Sequence, residues 1–555
     1  MFIFAKGQAI ICSKKKGVFM KKLKFLVPVV IFLLILLGCT TKVNASAPTI
    51  TNAYDLTNWI AYFGGSGSVT RDGNTVKLQK DISANENMYL YTTGGNDLVL
   101  DLNGHSIDFD VSITNGAIWG TTIANFTITD TSGKDTDFIR TNKGPVIYNS
   151  ASYNTFTVEN TELVCYNTNL EPTYKSYATN TNIFNNVKIT SYDSGIAASG
   201  SGKYILNNVN FNLGSSSVSK YGVKVWGHND VTLNNCTYKS AAGDGKAVWL
   251  AGGDDGKVTI NGGSYEFNKN SGFLVLVDKG TLEINDGKFS SKATATVRGT
   301  NGNIIINGGN FYGLKNALLI ASDCSLSLRG GTFKADTWGA VAFGSTKKIY
   351  NIIPVGYFAT NDTVQKNTTT QYNETVKEFK VLATPQDINL SKEKFTYNKK
   401  VQKPTITVKD SEGKVIPESN YSVNYTGGCK KVGTYFVYVT FTGDYAPIGQ
   451  VELTYQIVPK GTKLSKVTAG KKKFTAKWKK QTTETTGYQV QYSTKKDFSS
   501  GNKTINVKKN KTTSTSAKKL KAKKKYYVRV RTYKTVSGKK YYSSWSASKT
   551  VKTKK

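Results

Sequence analysis

Cysteine is scarce in this chain. Cys12, Cys39, Cys165, Cys236, Cys324 and Cys429 are spread over 555 residues. None pairs as Cys-x-x-Cys, which argues against a zinc site and against a dense disulfide framework, and leaves isolated buried thiols as the expectation. Proline (10) and methionine (3) are also few, whereas glycine, asparagine, threonine and tyrosine are abundant. That balance points away from helical bundles and towards β-structure. Acidic residues are missing at both ends. Residues 1–47 hold eight lysines and no acid, and residues 460–555 hold 30 basic residues against Glu484 and Asp497. The stretch 48–459 is nearly neutral, with 36 basic and 35 acidic residues. A single nucleic-acid-binding globule would spread its charge, so the net +37 argues against one.

Long apolar runs are absent but for one. Phe25–Leu37, broken by Pro28, follows Lys21, Lys22 and Lys24 and is too short for a comfortable membrane span. It reads as an export signal opening at Met20 within a leader of residues 1–47. Val43-Asn44-Ala45 and Ala45-Ser46-Ala47 offer small residues for signal-peptidase cleavage. Leu36-Leu37-Gly38-Cys39 resembles a bacterial lipobox, with Cys39 as the lipidated residue. Both exits imply an extracellular or cell-surface location, secreted or lipid-anchored.

What is present is repetition. A phrase of apolar, any, apolar, then Asn or a substitute, recurs with its fourth position at 103, 129, 159, 185, 207, 234, 261, 285, 307 and 329. Val258-Thr259-Ile260-Asn261-Gly262-Gly263 and Ile304-Ile305-Ile306-Asn307-Gly308-Gly309 are clear copies, and a second apolar strand such as Ala247–Leu250 or Phe273–Leu276 follows in most. Steps of 22–30 residues with period-two strands predict a solenoid, two or three strands to a turn, over 48–360. The marker asparagine is expected at a corner, stacking its amide on the next coil and tolerating a left-handed backbone. The predicted fold class is all-β: a right-handed parallel β-helix, a linker at 361–386, then two β-sandwich domains at 387–459 and 460–555.

The repeats resemble the pectate-lyase-like β-helix family, in the plain form found in bacterial surface proteins; Thr259–Gly263 with Tyr265, and Ile304–Phe311, carry the likeness. The same scaffold hosts lyases, hydrolases, adhesins and spacers. Lyases of the family need acidic Ca²⁺ ligands and a basic residue, whereas of the four arginines in this stretch Arg298 and Arg329, in or beside coil strands, have no clustered acids nearby in sequence. Hydrolases of the family carry Asn-Thr-Asp and Arg-Ile-Lys, which are absent here. The remaining candidate catalytic group is His228, Asp230, Asp254 and Asp255. These lie one coil apart at similar offsets from markers 234 and 261, where paired carboxylates and a histidine could serve acid–base chemistry. The plainer reading is a solvated Gly-rich turn. Tyr192, Trp226, Tyr238, Trp249, Tyr265 and Phe311 are candidate sugar-stacking rings, half or more of which must instead fill the core.

Residues 387–458 alternate as strands, and Tyr421–Tyr425, Gly433–Tyr435 and Gly443–Tyr445 resemble the Ig-like modules of Gram-positive surface proteins. Residues 460–555 resemble a fibronectin type III domain: Phe474–Trp478 as strand B, Gly487–Ser493 as strand C, and Leu520 with Tyr526 as the tyrosine corner. This module carries a lysine load its animal relatives lack. Lys471, Lys472, Lys473, Lys523, Lys524 and Lys525 are the expected polyanion-binding residues. The leading expectation is a non-enzymatic surface protein: the coil as stalk or glycan-contacting face, the cationic module holding anionic cell-wall polymers or polysaccharides, with no cofactor. The rival is a polysaccharide lyase or glycoside hydrolase, for which Ca²⁺ is the implied cofactor in the lyase case.

Overall fold

Period-two alternation builds the central region. In strand Asp230–Asn234, Val231 and Leu233 are buried while Asp230, Thr232 and Asn234 face outward. The next coil repeats the pattern in register, and Val231, Val258, Leu282, Ile304 and Leu326 stack as one parallel file. The computed structural model describes residues 4–5, 8–9 and 49–555 apart from 92–96, 111–115, 123–124, 135, 151–154, 167–170, 215–218, 241–243, 254, 322, 344–351 and 362–375. Among residues 1–47 it describes an antiparallel pair, Phe4–Ala5 with Gln8–Ala9. The signal features from Met20, Cys39 included, lie outside the described residues, as does Asp254.

Each coil carries three strand positions. Two of them join in a continuous sheet, and in Lys257–Phe267 a single long strand spans both. The third forms an 11-stranded sheet from Met88–Tyr91 to Val341–Phe343. Parallel pairing between successive coils makes the region a β-solenoid, as the repeat predicts.

The corner chemistry differs from the expectation in phase. Asn185, Asn207, Asn234, Asn261, Asn285 and Asn307 do form an amide ladder, each Nδ2 donating to the residue one coil earlier, at 2.6–2.8 Å from Asn207 onward. The left-handed backbone falls one residue later, at Asn160, Asn186, Asn208 and Asn235 (φ 51–55°), then at Gly262. The ladder residue still belongs to its strand, and the chain turns only after it. Register also places Asp101, not Asn103, opposite Thr129.

Both ends of the solenoid are covered. Helix Ala53–Gly64, capped by Asn52 accepting from the Tyr54 and Asp55 N–H groups, buries Leu56, Trp59 and Ile60 at the first coil. At the other end Glu378–Ala383 pairs antiparallel with both Gly331–Ala335 and Tyr357–Ala359. This strand sits in the stretch expected as linker. Phe379 and Val381 alternate inward there and are 2% and 1% exposed, a pattern hidden among polar neighbours. Phe379 closes a core stack of Tyr265, Phe289, Phe311, Phe333 and Phe379, with ring centroids 4.8–5.1 Å apart.

Beyond the cap lie two β-sandwiches. In the first, Pro385–Leu390 pairs with Ile406–Asp410, and Tyr421–Tyr425, Gly433–Phe441, Gln450–Val458 and Lys394–Thr396 form the facing sheet over Val408, Val437, Val439 and Ile457. In the second, Leu464–Gly470, Lys473–Trp478 and Ser514–Ala517 face a sheet built on Gly487–Ser493 and Lys525–Val536. Trp478 packs on Tyr488 at 5.2 Å, and the Tyr526 hydroxyl accepts from Lys521 N at 3.3 Å, closing the tyrosine corner.

Candidate functional site

Among the described residues, chemistry-bearing side chains gather at several places. The first is the candidate acid–base group. His228 Nδ1 stands 3.2 Å from Asp255 Oδ2, so adjacent coils do bring these two together. Their side chains are 65% and 78% exposed, on a turn rather than in a cleft. Asp230 sits at the exposed start of its strand, in register with Lys203 and Lys257. Among the described residues no arginine forms an ion pair with them. A solvated pair of this kind lacks the enclosure that tunes a catalytic carboxylate.

A cavity of about 840 Å³ lies along the two-strand sheet and includes Asp130, Asp137, Glu159, Glu162, Lys134 and Lys188 in its lining. Most of its carboxylates already serve the scaffold. Asp130 accepts from Gly104 N, Ser132 N and Ser132 Oγ, and Glu162 pairs with Lys188 at 3.0 Å. Nearby, burial raises the Asp101 carboxyl, but hydrogen bonds from Thr131, Lys77 and Asn103 outweigh it and hold it below the ordinary value. Among the described residues no group of three His, Cys, Asp or Glu could hold a metal ion.

The second place is on the outer face of the 11-stranded sheet. Strand Pro172–Ser176 sends Lys175 outward, Tyr177 follows at its end, and strand Ser219–Trp226 sends out Lys224 and Trp226. Between them runs a coil that offers only Ala197 and Ser199, in register with Lys175 and Lys224 at Ala197. Large side chains on both sides of a small rung leave a notch of about 420 Å³, lined also by Glu171 and Tyr221. Tyr177 and Trp226 are 50% and 53% exposed. The two lysines differ. Burial lowers Lys175, but Glu171 at 3.1 Å outweighs it, so its pKa rises. Burial, reinforced by Lys246, pushes Lys224 below the ordinary lysine value. Lys224 Nζ lies 4.2 Å from the Trp249 ring centroid, 5.4 Å from Trp226 and 5.7 Å from Tyr221, with no carboxylate partner among the described residues.

Of the six candidate rings, Tyr238, Tyr265 and Phe311 are core residues, Tyr192 and Trp226 are exposed, and Trp249 is intermediate. Lys175, Tyr177, Tyr221 and Lys224 escape sequence reasoning because they meet across coils. The available signal is the outward alternation Lys175-x-Tyr177 and Lys224-x-Trp226.

The third place is one end of the last sandwich. The turn at Lys471–Lys473, the loop Lys518–Lys525 and the C-terminal strand converge through backbone bonds: Lys472 N to Lys554 O (3.3 Å), Leu520 N to Lys472 O (2.9 Å) and Thr553 N to Lys524 O (3.1 Å). Lys472, Lys519 and Lys523 hold left-handed dihedrals in these turns (φ 45–59°). Twelve exposed lysines result: Lys471–Lys473, Lys518, Lys519, Lys521, Lys523–Lys525, Lys552, Lys554 and Lys555. The module's two acids are engaged elsewhere. Glu484 accepts from Val432 N at 3.2 Å and lies 3.8 Å from Lys534, and Asp497 accepts from Ser499 N. Arg529 and Arg531 stand apart from this lysine pole. Both stack on Trp545, and further on Phe498 and Tyr542 respectively.

A search of curated proteins finds no match. Among solved structures, the chain is similar to the FN1–FN3 domains of chicken CNTN1 (18% identity, TM-score 0.17, covering 31% of this chain and 68% of that one). It is also similar to domains A168–A170 of titin (15% identity, TM-score 0.15, covering 34% and 73%). TM-scores this low support nothing further. No helix among the described residues is long and apolar enough to cross a membrane. Residues 458–549 match the fibronectin type III domain family, which the strand order and tyrosine corner of that module bear out.

Proposed function

We propose that this is an extracytoplasmic surface protein that attaches to anionic cell-wall polymers through its fibronectin type III module, with the solenoid as spacer and glycan-contacting face. The observation carrying the reading is the lysine pole: three chain segments meeting with no acid between them. Like-charged groups crowded at one end repel one another, and a polyanion relieves that repulsion while releasing its own counterions. Export supplies the compartment in which wall polymers are the abundant polyanions, and the leader sequence argues for export.

The test is retention of the full chain on purified Gram-positive cell walls. Retention is expected to fall steeply between about 0.1 M and 1 M salt, as the Debye length shortens from ~10 to ~3 Å. Replacing Lys471, Lys472, Lys473, Lys523, Lys524 and Lys525 by glutamine should remove most of it. Retention that ignores both salt and these substitutions would refute the proposal.

A further inference from the structure

We propose that the notch between Lys175, Tyr177, Lys224 and Trp226 binds an acidic saccharide, with a sugar ring on Trp226 and its acid group on Lys224. This deepens the reading of the solenoid as a glycan-contacting face and is independent of the lysine pole.

Shape is the first argument. A flat sheet exterior offers a ligand no grip, but the Ala197 and Ser199 rung is recessed between two coils bearing long side chains. The volume is that of a small-ligand site. Ring chemistry is the second. Tyr177 and Trp226 stand on opposite sides of the recess and are each about half exposed, so the space over them is solvent. Aromatic faces carry partial negative charge and favour the electropositive C–H edges of a pyranose.

Charge is the third argument, and it selects among sugars. Glu171 neutralises Lys175. Among the described residues Lys224 has ring faces and no carboxylate around its ammonium, and a second cation, Lys246, lies 5.1 Å from the Trp249 ring centroid. A partly buried ammonium facing rings but no anion is complemented by an acid group entering from solvent. Neutral sugars would satisfy the rings and leave this charge unpaired. An acidic peptide would satisfy the charge and leave the ring platforms uncovered.

Binding is measured by calorimetry and tryptophan fluorescence on the full chain. The probes are 3′-sialyllactose against lactose, and a hyaluronan tetrasaccharide against its carboxyl-reduced form, with hexaglutamate as the peptide arm. The expected result is saturable binding of one or both acidic saccharides, at least about tenfold tighter than of the neutral partners, the least expected when a charged group loses its hydrogen bond. K224M and W226A should each cost about tenfold or more while circular dichroism and melting stay unchanged, since Trp226 is half exposed and lies outside the solenoid core. The glutamine variant of the six pole lysines should bind as the parent does. Four outcomes would overturn the inference: no acidic saccharide bound at millimolar concentration, equal affinity for the neutral partners, affinity untouched by K224M and W226A, or hexaglutamate bound as tightly. Binding abolished by the pole substitutions alone would likewise overturn it, leaving the wall-attachment reading intact.

Discussion

At the scale of single residues, the corner after each ladder asparagine is the most demanding position in the solenoid. Asn235 holds φ 51° and is followed one coil on by Gly262 at φ 90°. A β-branched side chain resists this conformation, whereas glycine accepts it and asparagine does so at small cost. Asn235→Val should therefore lose about 1–2 kcal/mol in urea unfolding, while Asn235→Gly stays near the parent. Equal stability of the two variants would show that the turn adapts. The buried thiols give a second prediction. Burial pushes Cys236 up to about 12 and Cys324 to about 11. Since the folded value is raised above the ordinary thiol value of about 8.5, the stability tied to the neutral thiol is full below that pH. It is lost as pH rises towards the folded value. Melting temperature should fall between about pH 9 and 11, less so in Cys236→Ala, and mass mapping should find Cys236 and Cys324 unlabelled by thiol reagents at pH 8. Labelling of the native protein at these sites would contradict their burial.

At the scale of elements, the core of the last coils is a column of rings. Phe311 lies between Phe289 and Phe333 at 4.8 and 5.1 Å and is 1% exposed, so Phe311→Ala should cost about 3–5 kcal/mol and Phe311→Leu distinctly less. Phe379 tops the column from the antiparallel cap. Stacked repeats need a capped end, because an open parallel edge pairs with other chains. Phe379→Asp should thus give concentration-dependent aggregation by light scattering, and a monodisperse variant would show that another element closes the coil. The coils themselves are legible because ten copies of one pattern reinforce each other, and the Asn and Phe columns follow from that pattern. Glu378–Ala383 is not legible, since it occurs once and runs antiparallel to the repeat. The notch is illegible for a different reason. Its walls, Lys175 and Lys224, stand on either side of one intervening coil, and only the exact register, with bulges and coils of 22–30 residues, shows that Ala197 falls between them.

At the scale of the whole molecule, charge is partitioned rather than large. Residues 48–459 are nearly neutral, whereas the last module concentrates a strong excess of lysine at one end. Exposed like charges that no acid offsets destabilise the compact state, and salt screens them. Scanning calorimetry of the full chain should therefore show the fibronectin type III transition rising as salt increases from about 0.05 to 0.5 M. The solenoid transition should move little, its cationic and anionic side chains being balanced. Glutamine at Lys471, Lys472, Lys473, Lys523, Lys524 and Lys525 should raise that module's melting point at low salt and flatten its salt dependence, since none of the six is in an ion pair among the described residues. Such a gain would mean the lysines are held against stability, which is what a surface kept for a polyanionic partner requires. A loss of stability, or a salt response equal in both transitions, would mean instead that the pole is bound up in the fold itself and is not free to meet a wall.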